Sequence, residues 1–421
     1  MTPLEGRARL HPFLRVLFLV LLLVSSAGAQ PGRSVVIWLS LDGMRGDYAD
    51  IYAAPTLQAM MKEGVYSRHM VDTFPPLTFP SHTALATGVP AGVHGITGSN
   101  FYDRKTGLQY NMPTESQLVQ AEPIWVTAAR QSVRSIVLDW PLSYHQQGPF
   151  RAVVSSPGFE SHWSDAERFD RLLEAWEQDR DPNPIRLLMG YCPSVDSIGH
   201  HDGPESARLG QTVLAVDEQI KRLRQRAIEV FKQKMRPDDR LFFVISADHG
   251  MAKTHTLVHP TKLLGELPAQ IKVVENSTSL LLYLGEDARP LWTERISQRL
   301  RGKQGVRMVL SSQFPPQWGY AHPDRSPDLL ILARPGWSFS KAIDSLYGPS
   351  AGKGVLGNHG YAPEECPEMD ALLVIWQYGT TLGGRDLGTV SQLAVYPTIC
   401  QILGIKPAPG PNTPGLGTSV P

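Results

Sequence analysis

The chain has 421 residues, with 40 Lys and Arg against 40 Asp and Glu, and 42% of its residues are hydrophobic. That composition excludes wholesale disorder, and a formal charge of zero excludes a nucleic-acid binder held by a basic surface. Three cysteines cannot build a disulfide scaffold, so apolar burial must supply the core.

Arg7, Arg9 and Arg15 precede an apolar run from Val16 to Val24, followed by Ser25-Ser26-Ala27-Gly28-Ala29. A basic start, a short apolar run and an A-x-A site predict a secretory signal peptide over residues 1–29. The run is too short to span a bilayer, which needs about twenty residues. The expectation is an exported chain, periplasmic or secreted, with no stable membrane anchor after cleavage. Of the cysteines, Cys192, Cys366 and Cys400, two could pair in an oxidising compartment, or all three could be buried thiols.

Strands and helices then alternate. Ser34–Leu41 reads as a buried strand, Pro55–Glu63 as a helix stopped by Gly64, and Arg134–Asp139 as a strand. Asp165–Arg180 reads as a helix, Ile185–Tyr191 as a strand, Glu205–Lys234 as a long amphipathic helix and Leu241–Ala247 as a strand. Ala371–Trp376 is a further strand, and Val390–Leu403 closes the chain as a helix with an irregularity at Pro397. Continuous apolar strands separated by helices predict a mostly parallel sheet sandwiched by helices, an α/β fold over residues 30–421. Residues from about 255 to 355 differ. Short strands at Ile271–Glu275, Leu280–Leu284, Val306–Leu310 and Leu329–Ala333, with one helix at Pro290–Arg301, predict a small α+β insertion.

Acidic and histidine residues gather at the predicted strand ends, where open α/β sheets place their ligands. Asp42 follows the first strand, Asp196 and His200 follow the strand ending near Tyr191, and Asp248-His249 follow Leu241–Ala247. His359 lies between glycines in Gly357-Asn358-His359-Gly360. Singly, an Asp after a strand is commonly a cap or turn residue, and a DxxxH loop is commonly solvated. Together they form an oxygen- and nitrogen-rich metal site. Thr78 precedes Pro80, which suits the first turn of a helix, so its hydroxyl is either an N-cap or a nucleophile beside an anion-binding helix start.

The motifs Asp42-Gly43-Met44-Arg45, Thr73-Phe74-Pro75-Pro76-Leu77-Thr78-Phe79-Pro80-Ser81-His82, Trp140-Pro141, Asp196-Ser197-Ile198-Gly199-His200, Asp248-His249-Gly250-Met251 and Gly357-Asn358-His359-Gly360 stand in order along the chain. In this they resemble the nucleotide pyrophosphatase/phosphodiesterase family of the alkaline phosphatase superfamily. The resemblance implies an alkaline phosphatase-like fold and two zinc ions, with manganese or another divalent metal as the alternative. One ion is expected on Asp196, His200 and His359. The other is expected on Asp42, Asp248 and His249, with Thr78 also bound. Thr78 is then the nucleophile, a phospho-threonine the intermediate, and a small phosphodiester or nucleotide the substrate. Phe79 and Tyr191 are expected to sandwich a nucleobase. Relatives place an Asn where this chain has Ser99, with Asn100 beside it, so either residue is a candidate for the phosphoryl contact. An alkaline phosphomonoesterase and an inactive relative are the alternatives. No Lys-x-Arg stands near the site motifs to meet a monoester's second charge, which favours diesters.

Overall fold

The computed structural model describes residues 32–410 and 413–417, so the expected signal peptide lies outside the described residues. Strand β1 (Ser34–Leu41) is apolar except for Ser34 and Ser40 and is fully buried. Helix α1 (Pro55–Glu63) starts on its proline, ends at Gly64, and leads into β2 (Val65–Val71). Helix α2 (Thr78–Thr87) follows. Next come β3 (Arg134–Val137), the two-residue β4 (Val154–Ser155), helix α3 (Asp165–Gln178) and β5 (Ile185–Cys192). Helices α4 (Ser194–Asp202) and α5 (Ala207–Lys234) precede β6 (Arg240–Ser246).

A separate antiparallel sheet is built from β7 (Lys272–Asn276), β8 (Ser279–Tyr283), β9 (Val306–Leu310) and β10 (Leu329–Ala333), in the order β7-β8-β10-β9. Helix α6 (Arg289–Leu300) packs against it, its Trp292 and Ile296 sharing a core with Leu280, Leu282 and Ile331. The main sheet resumes with β11 (Ala371–Gln377) and the short β12 (Arg385–Asp386) and β13 (Thr389–Ser391). Helix α7 (Val395–Leu403) closes the chain. Pro397 causes no break, because it sits in the first turn of α7, where no N–H is needed.

Among the described residues the main sheet has nine strands in the order β12-β2-β11-β6-β1-β5-β3-β4, with β13 also paired to β2. β1 runs parallel to both β5 and β6, and β3 is parallel to β5. β11 departs from this, lying antiparallel to β2 and β6. β2 was not expected as a strand, since Ser67, Arg68 and His69 interrupt its apolar pattern and its buried residues Val65, Ser67 and Met70 change phase at a bulge. β3 stops short of Asp139, whose positive φ of 56° leaves the extended region. All three cysteines are buried and unpaired. No helix among the described residues is long and apolar enough to cross a membrane.

The starts of the two central strands are tied by Asp239, whose carboxylate is fully buried. It accepts from the backbone N–H of Arg33 at 2.7 Å and of Arg236 at 3.1 Å, and from both guanidinium groups. Burial alone would raise its pKa, but these bonds outweigh it and hold the group at about 2. A depressed carboxylate stabilises the fold above its unfolded pKa, and that contribution is lost as pH falls from about 4 towards 2. Asp239→Asn is expected to cost roughly 1–3 kcal/mol at pH 7. Urea melts at pH 7 and pH 3 test this, and a deficit that does not shrink in acid contradicts the assignment.

Candidate active site

The parallel strands β1, β5 and β6 all end on one edge of the sheet, and each delivers part of the site there. Asp42 follows β1, and Asp248 and His249 follow β6. Asp196 and His200 sit one turn apart on α4, just past β5, rather than in a loop. His359 comes from the connector before β11. Because β11 is reversed, its start reaches the edge where the parallel strands end. Gly357–Asn358 pairs with Ala252–Lys253, and Thr278 Oγ1 donates to the His359 carbonyl at 2.9 Å, so the β7–β8 turn braces this loop.

His249 Nε2 lies 3.4 Å from Asp42 Oδ1 and 3.0 Å from Asp248 Oδ2. Thr78 Oγ1 is 3.4 Å from the same nitrogen. Asp196 Oδ1 is 3.3 Å from His200 Nε2 and 3.5 Å from His359 Nε2, and those two nitrogens are 3.1 Å apart. The six residues expected as ligands therefore converge in two adjoining groups. His249 joins them, its ring stacked on that of His359 at 3.5 Å.

The hydrogen bonds behind the site fix where lone pairs point. Nδ1 of His200 faces the Gly357 carbonyl, that of His249 the Gly250 carbonyl, and that of His359 the Pro76 carbonyl, at 3.0, 2.9 and 2.9 Å. A carbonyl only accepts, so each Nδ1 carries a hydrogen and each neutral ring presents a lone pair on Nε2. Opposite them Asp42 Oδ1, Asp196 Oδ1 and Asp248 Oδ2 are buried without hydrogen-bond partners. Orphaned carboxylate oxygens beside imidazole lone pairs fit a cation.

The electrostatics agree. Burial and the neighbouring carboxylates of Asp248 and Asp196 hold Asp42 well above the usual carboxylate range. Burial opposes the charge of Asp248 too, but His249 and His82 outweigh it and keep that group well below the range. Burial also opposes the charge of Asp196, yet His200 and His359 bring it to about 2. Burial disfavours a charged His249, yet Asp248 and Asp196 raise its pKa to about 9. Burial and His249 push His359 down to about 3. The added proton on His249 sits on Nε2, between the oxygens of Asp42 and Asp248, where a cation would replace it.

Thr78 is the first residue of α2, and Leu77 is the N-cap, with no side-chain capping bond. The hydroxyl is thus not used as a cap. His82 stands one turn further on, and its role is not legible from the motif that contains it. Its Nδ1 donates to the Thr78 carbonyl at 2.8 Å, and its Nε2 accepts from Ser40 Oγ at 2.9 Å. Gln392 gave no sequence signal at all, yet its amide donates to the Asp248 carbonyl at 2.6 Å.

A cavity of about 300 Å³ opens beside Thr78, lined in part by Asp42, Phe79, Tyr144, Phe159, Tyr191 and Asp196. Phe79 is backed by Ile96, Phe101 and Leu142. The Tyr191 ring lies against His82, and its hydroxyl donates to Asp42 Oδ2, which turns the orphaned Oδ1 towards His249. Asn100 is committed elsewhere: its amide donates to the Glu275 carbonyl at 2.8 Å and accepts from the Met112 N–H at 3.1 Å. The Ser99 carbonyl also accepts from Met112 at 3.0 Å. Asn100–Asp103 and Leu108–Asn111 pair as a hairpin, and the segment after it presents Met112 and Thr114 to the cavity. Phe159, 44% exposed on the cavity wall, was not singled out in the sequence.

The fold is alkaline phosphatase-like. A solved structure of murine ectonucleotide pyrophosphatase/phosphodiesterase 5 superposes with a TM-score of 0.77 at 22% identity, covering 90% of this chain and 98% of that one. The same murine protein in an inactive Thr-to-Ala form in complex with AMP gives a TM-score of 0.75, again at 22% identity, covering 90% of this chain and 97% of that one. An uncharacterized pyrophosphatase/phosphodiesterase of Schizosaccharomyces pombe is 29% identical over 410 residues, spanning 92% of this chain and 80% of its own. Human bis(5′-adenosyl)-triphosphatase ENPP4 is 28% identical over 402 residues, spanning 93% and 82%. The family model for type I phosphodiesterase/nucleotide pyrophosphatase matches residues 36–362, and the chain belongs to that family. It is a hydrolase of the phosphodiesterase/nucleotide pyrophosphatase class.

Asp42→Asn removes a buried charge that its neighbours oppose while leaving an acceptor for Tyr191. It is expected to stabilise the metal-free protein by roughly 1–2 kcal/mol and to lower bound metal. Urea melts in chelator, with elemental analysis after dialysis, measure both. A less stable metal-free variant would show that the carboxylates do not strain one another.

Proposed function

We propose that the protein is an exported, zinc-dependent phosphodiesterase that cleaves small nucleotide-like diesters or pyrophosphates through a phosphorylated Thr78. The observation that carries this is the convergence of three orphaned carboxylate oxygens and three imidazole nitrogens beside a threonine hydroxyl that caps nothing. Asp196, His200 and His359 would hold one ion, and Asp42, Asp248 and His249 the other. Imidazole and carboxylate donors suit zinc, with manganese as the alternative. When bound, the metal supplies positive charge that lowers the pKa of a hydroxyl or water and neutralises charge developing on oxygen.

The chain's own groups do the rest. The first N–H groups of α2, those of Thr78 and Phe79, have no acceptors within the helix and face an anion favourably. Thr78 Oγ1 attacks phosphorus, and its new bond to phosphorus forms as the bond to the leaving oxygen breaks. Water then attacks the phospho-threonine, the Oγ1–phosphorus bond breaks, and a phosphate monoester leaves. His82 holds the Thr78 carbonyl and so fixes the first turn from which Oγ1 projects.

The cavity supports a diester. Among the described residues its lining includes Asp42, Asp139 and Asp196 but no Lys or Arg, so the second charge of a monoester finds no side-chain partner. Phe79 and Phe159 supply apolar rings suited to a nucleobase, in keeping with the AMP complex of the murine relative. Tyr191 serves better as the orienter of Asp42 than as a stacking wall. The amino-terminal targeting pattern and the ectoenzyme names of relatives support export.

The expected result is faster turnover of bis(p-nitrophenyl) phosphate than of p-nitrophenyl phosphate, with both abolished by chelation. A higher kcat/KM on the monoester overturns the diesterase reading. Thr78→Ala is expected to keep its zinc by elemental analysis and to lose roughly 10³-fold or more in kcat. Near-normal turnover would remove Thr78 from the mechanism.

A further inference from the structure

One buried cation stands behind the cavity and has no part in the chemistry above. Arg168, on α3, is 3% exposed. Its guanidinium makes three contacts, and all three fall on the cavity wall or its support. Nη1 pairs with Asp139 Oδ2, whose residue is 1% exposed and lines the cavity. Nη2 donates to the Glu160 carbonyl at 2.6 Å. The guanidinium carbon lies 4.6 Å from the centre of the Phe159 ring. Asp139 is itself fixed, its N–H donating to Ser156 Oγ at 2.9 Å and its carbonyl accepting from Tyr144 at 3.0 Å.

A buried ion pair is a poor way to gain stability, because desolvation consumes much of the attraction, and apolar residues would fill the space as well. What this pair does that apolar residues could not is grip a backbone carbonyl and one face of an aromatic ring together. Phe159 lies in the irregular segment between β4 and α3 and is 44% exposed at the cavity. A ring on such a segment must be ordered when ligand binds, and that ordering weakens affinity unless it is done beforehand.

We propose that Arg168, anchored by Asp139, is a positioning residue that holds Phe159 in place as one wall of the slot for the nucleoside part of the substrate. The proposal rests on the nucleotide reading of the cavity given above. Arg168 covers one face of the ring, and the part of Phe159 that stays exposed is available to a planar ligand. A cationic headgroup is disfavoured in the same slot, since a guanidinium already occupies Phe159 and neutralises Asp139.

The test compares two esters with the same leaving group: the p-nitrophenyl ester of thymidine 5′-monophosphate, and methyl p-nitrophenyl phosphate, which has no base. Arg168→Met is expected to raise KM for the nucleotide ester about tenfold relative to KM for the methyl ester. Arg168→Lys keeps the charge but not the plane and should fall between. Phe159→Ala should give the same differential, and Arg168→Met should add little to it in the double variant. Should Arg168→Met not fold, Asp139→Leu combined with Arg168→Met removes both charges, and the same differential is expected. An equal change on both esters, or additive effects of Arg168 and Phe159, overturns the positioning role. A wild type that cleaves the methyl ester but not the nucleotide ester overturns the nucleotide reading itself. A wild-type nucleotide preference that no Arg168 variant moves overturns this proposal alone.

Discussion

Three carboxylates that cannot coexist comfortably set the terms for the rest of the molecule. The side chains of Asp42, Asp248 and Asp196 are 2%, 0% and 15% exposed. Asp42 and Asp248 offer donor oxygens within 4.8 Å of each other, and Asp196 stands in the adjoining group with His249 and His359. At an effective dielectric constant of 20, two like charges at that spacing repel by about 3.5 kcal/mol. Left alone, the cluster draws a proton to His249, and Asp42 resists ionisation. The fold therefore holds together a site that needs positive charge and carries none of its own from Lys or Arg.

Holding it takes rigidity. β1, β5 and β6 are packed side by side in parallel, with Trp38 of β1 donating to Ser246 of β6 at 2.9 Å, so their ends keep a fixed spacing. The second sheet braces the loop carrying His359 through Thr278, and Ser277 Oγ donates to Asn358 Oδ1 at 2.8 Å. Each histidine is locked by a backbone carbonyl on Nδ1. Rotating any of these rings would break a buried hydrogen bond, which makes the Nε2 directions a property of the backbone as much as of the side chains.

The sequence was legible where local signals sufficed. β1 and the α1 boundaries follow from apolar runs, Pro55 and Gly64, and strand-end placement singled out Asp42, Asp196, Asp248 and their histidine neighbours. Two features were hidden because they depend on pairing rather than on local pattern. β2 carries polar residues on its open face, and nothing in Ala371–Gln377 tells that β11 runs antiparallel. The reversal explains how His359, placed before a strand, meets residues placed after strands. Substrate-side residues were hidden for a different reason. Asn100 has the right chemistry for a ligand contact, but its amide is engaged by Glu275 and Met112, and the Tyr191 hydroxyl is engaged by Asp42 while its ring still lines the cavity. Phe159 stands among polar neighbours in an irregular segment, where no periodicity marks it.

On the proposed reading, the site separates two kinds of recognition along one cavity. At the sheet edge the ligand cluster and the start of α2 deal with charge, and their geometry is fixed by strands and backbone carbonyls. Away from it, Phe79 and Phe159 offer flat apolar surface. Phe79 is set rigidly on a helix over its own small core of Ile96, Phe101 and Leu142, whereas Phe159 hangs on an irregular segment gripped by Arg168. Neutral overall charge is compatible with this division. A phosphate ester needs a cation only at its phosphorus, and a metal held by the cluster would supply it there. An arginine placed openly in the cavity would attract monoester dianions and would compete with the metal for Asp42 or Asp196. Burying Arg168 against Asp139 keeps the guanidinium's shape and hydrogen bonds while cancelling its charge, so in the proposed role it would order the aromatic wall without altering which phosphate esters the cavity admits.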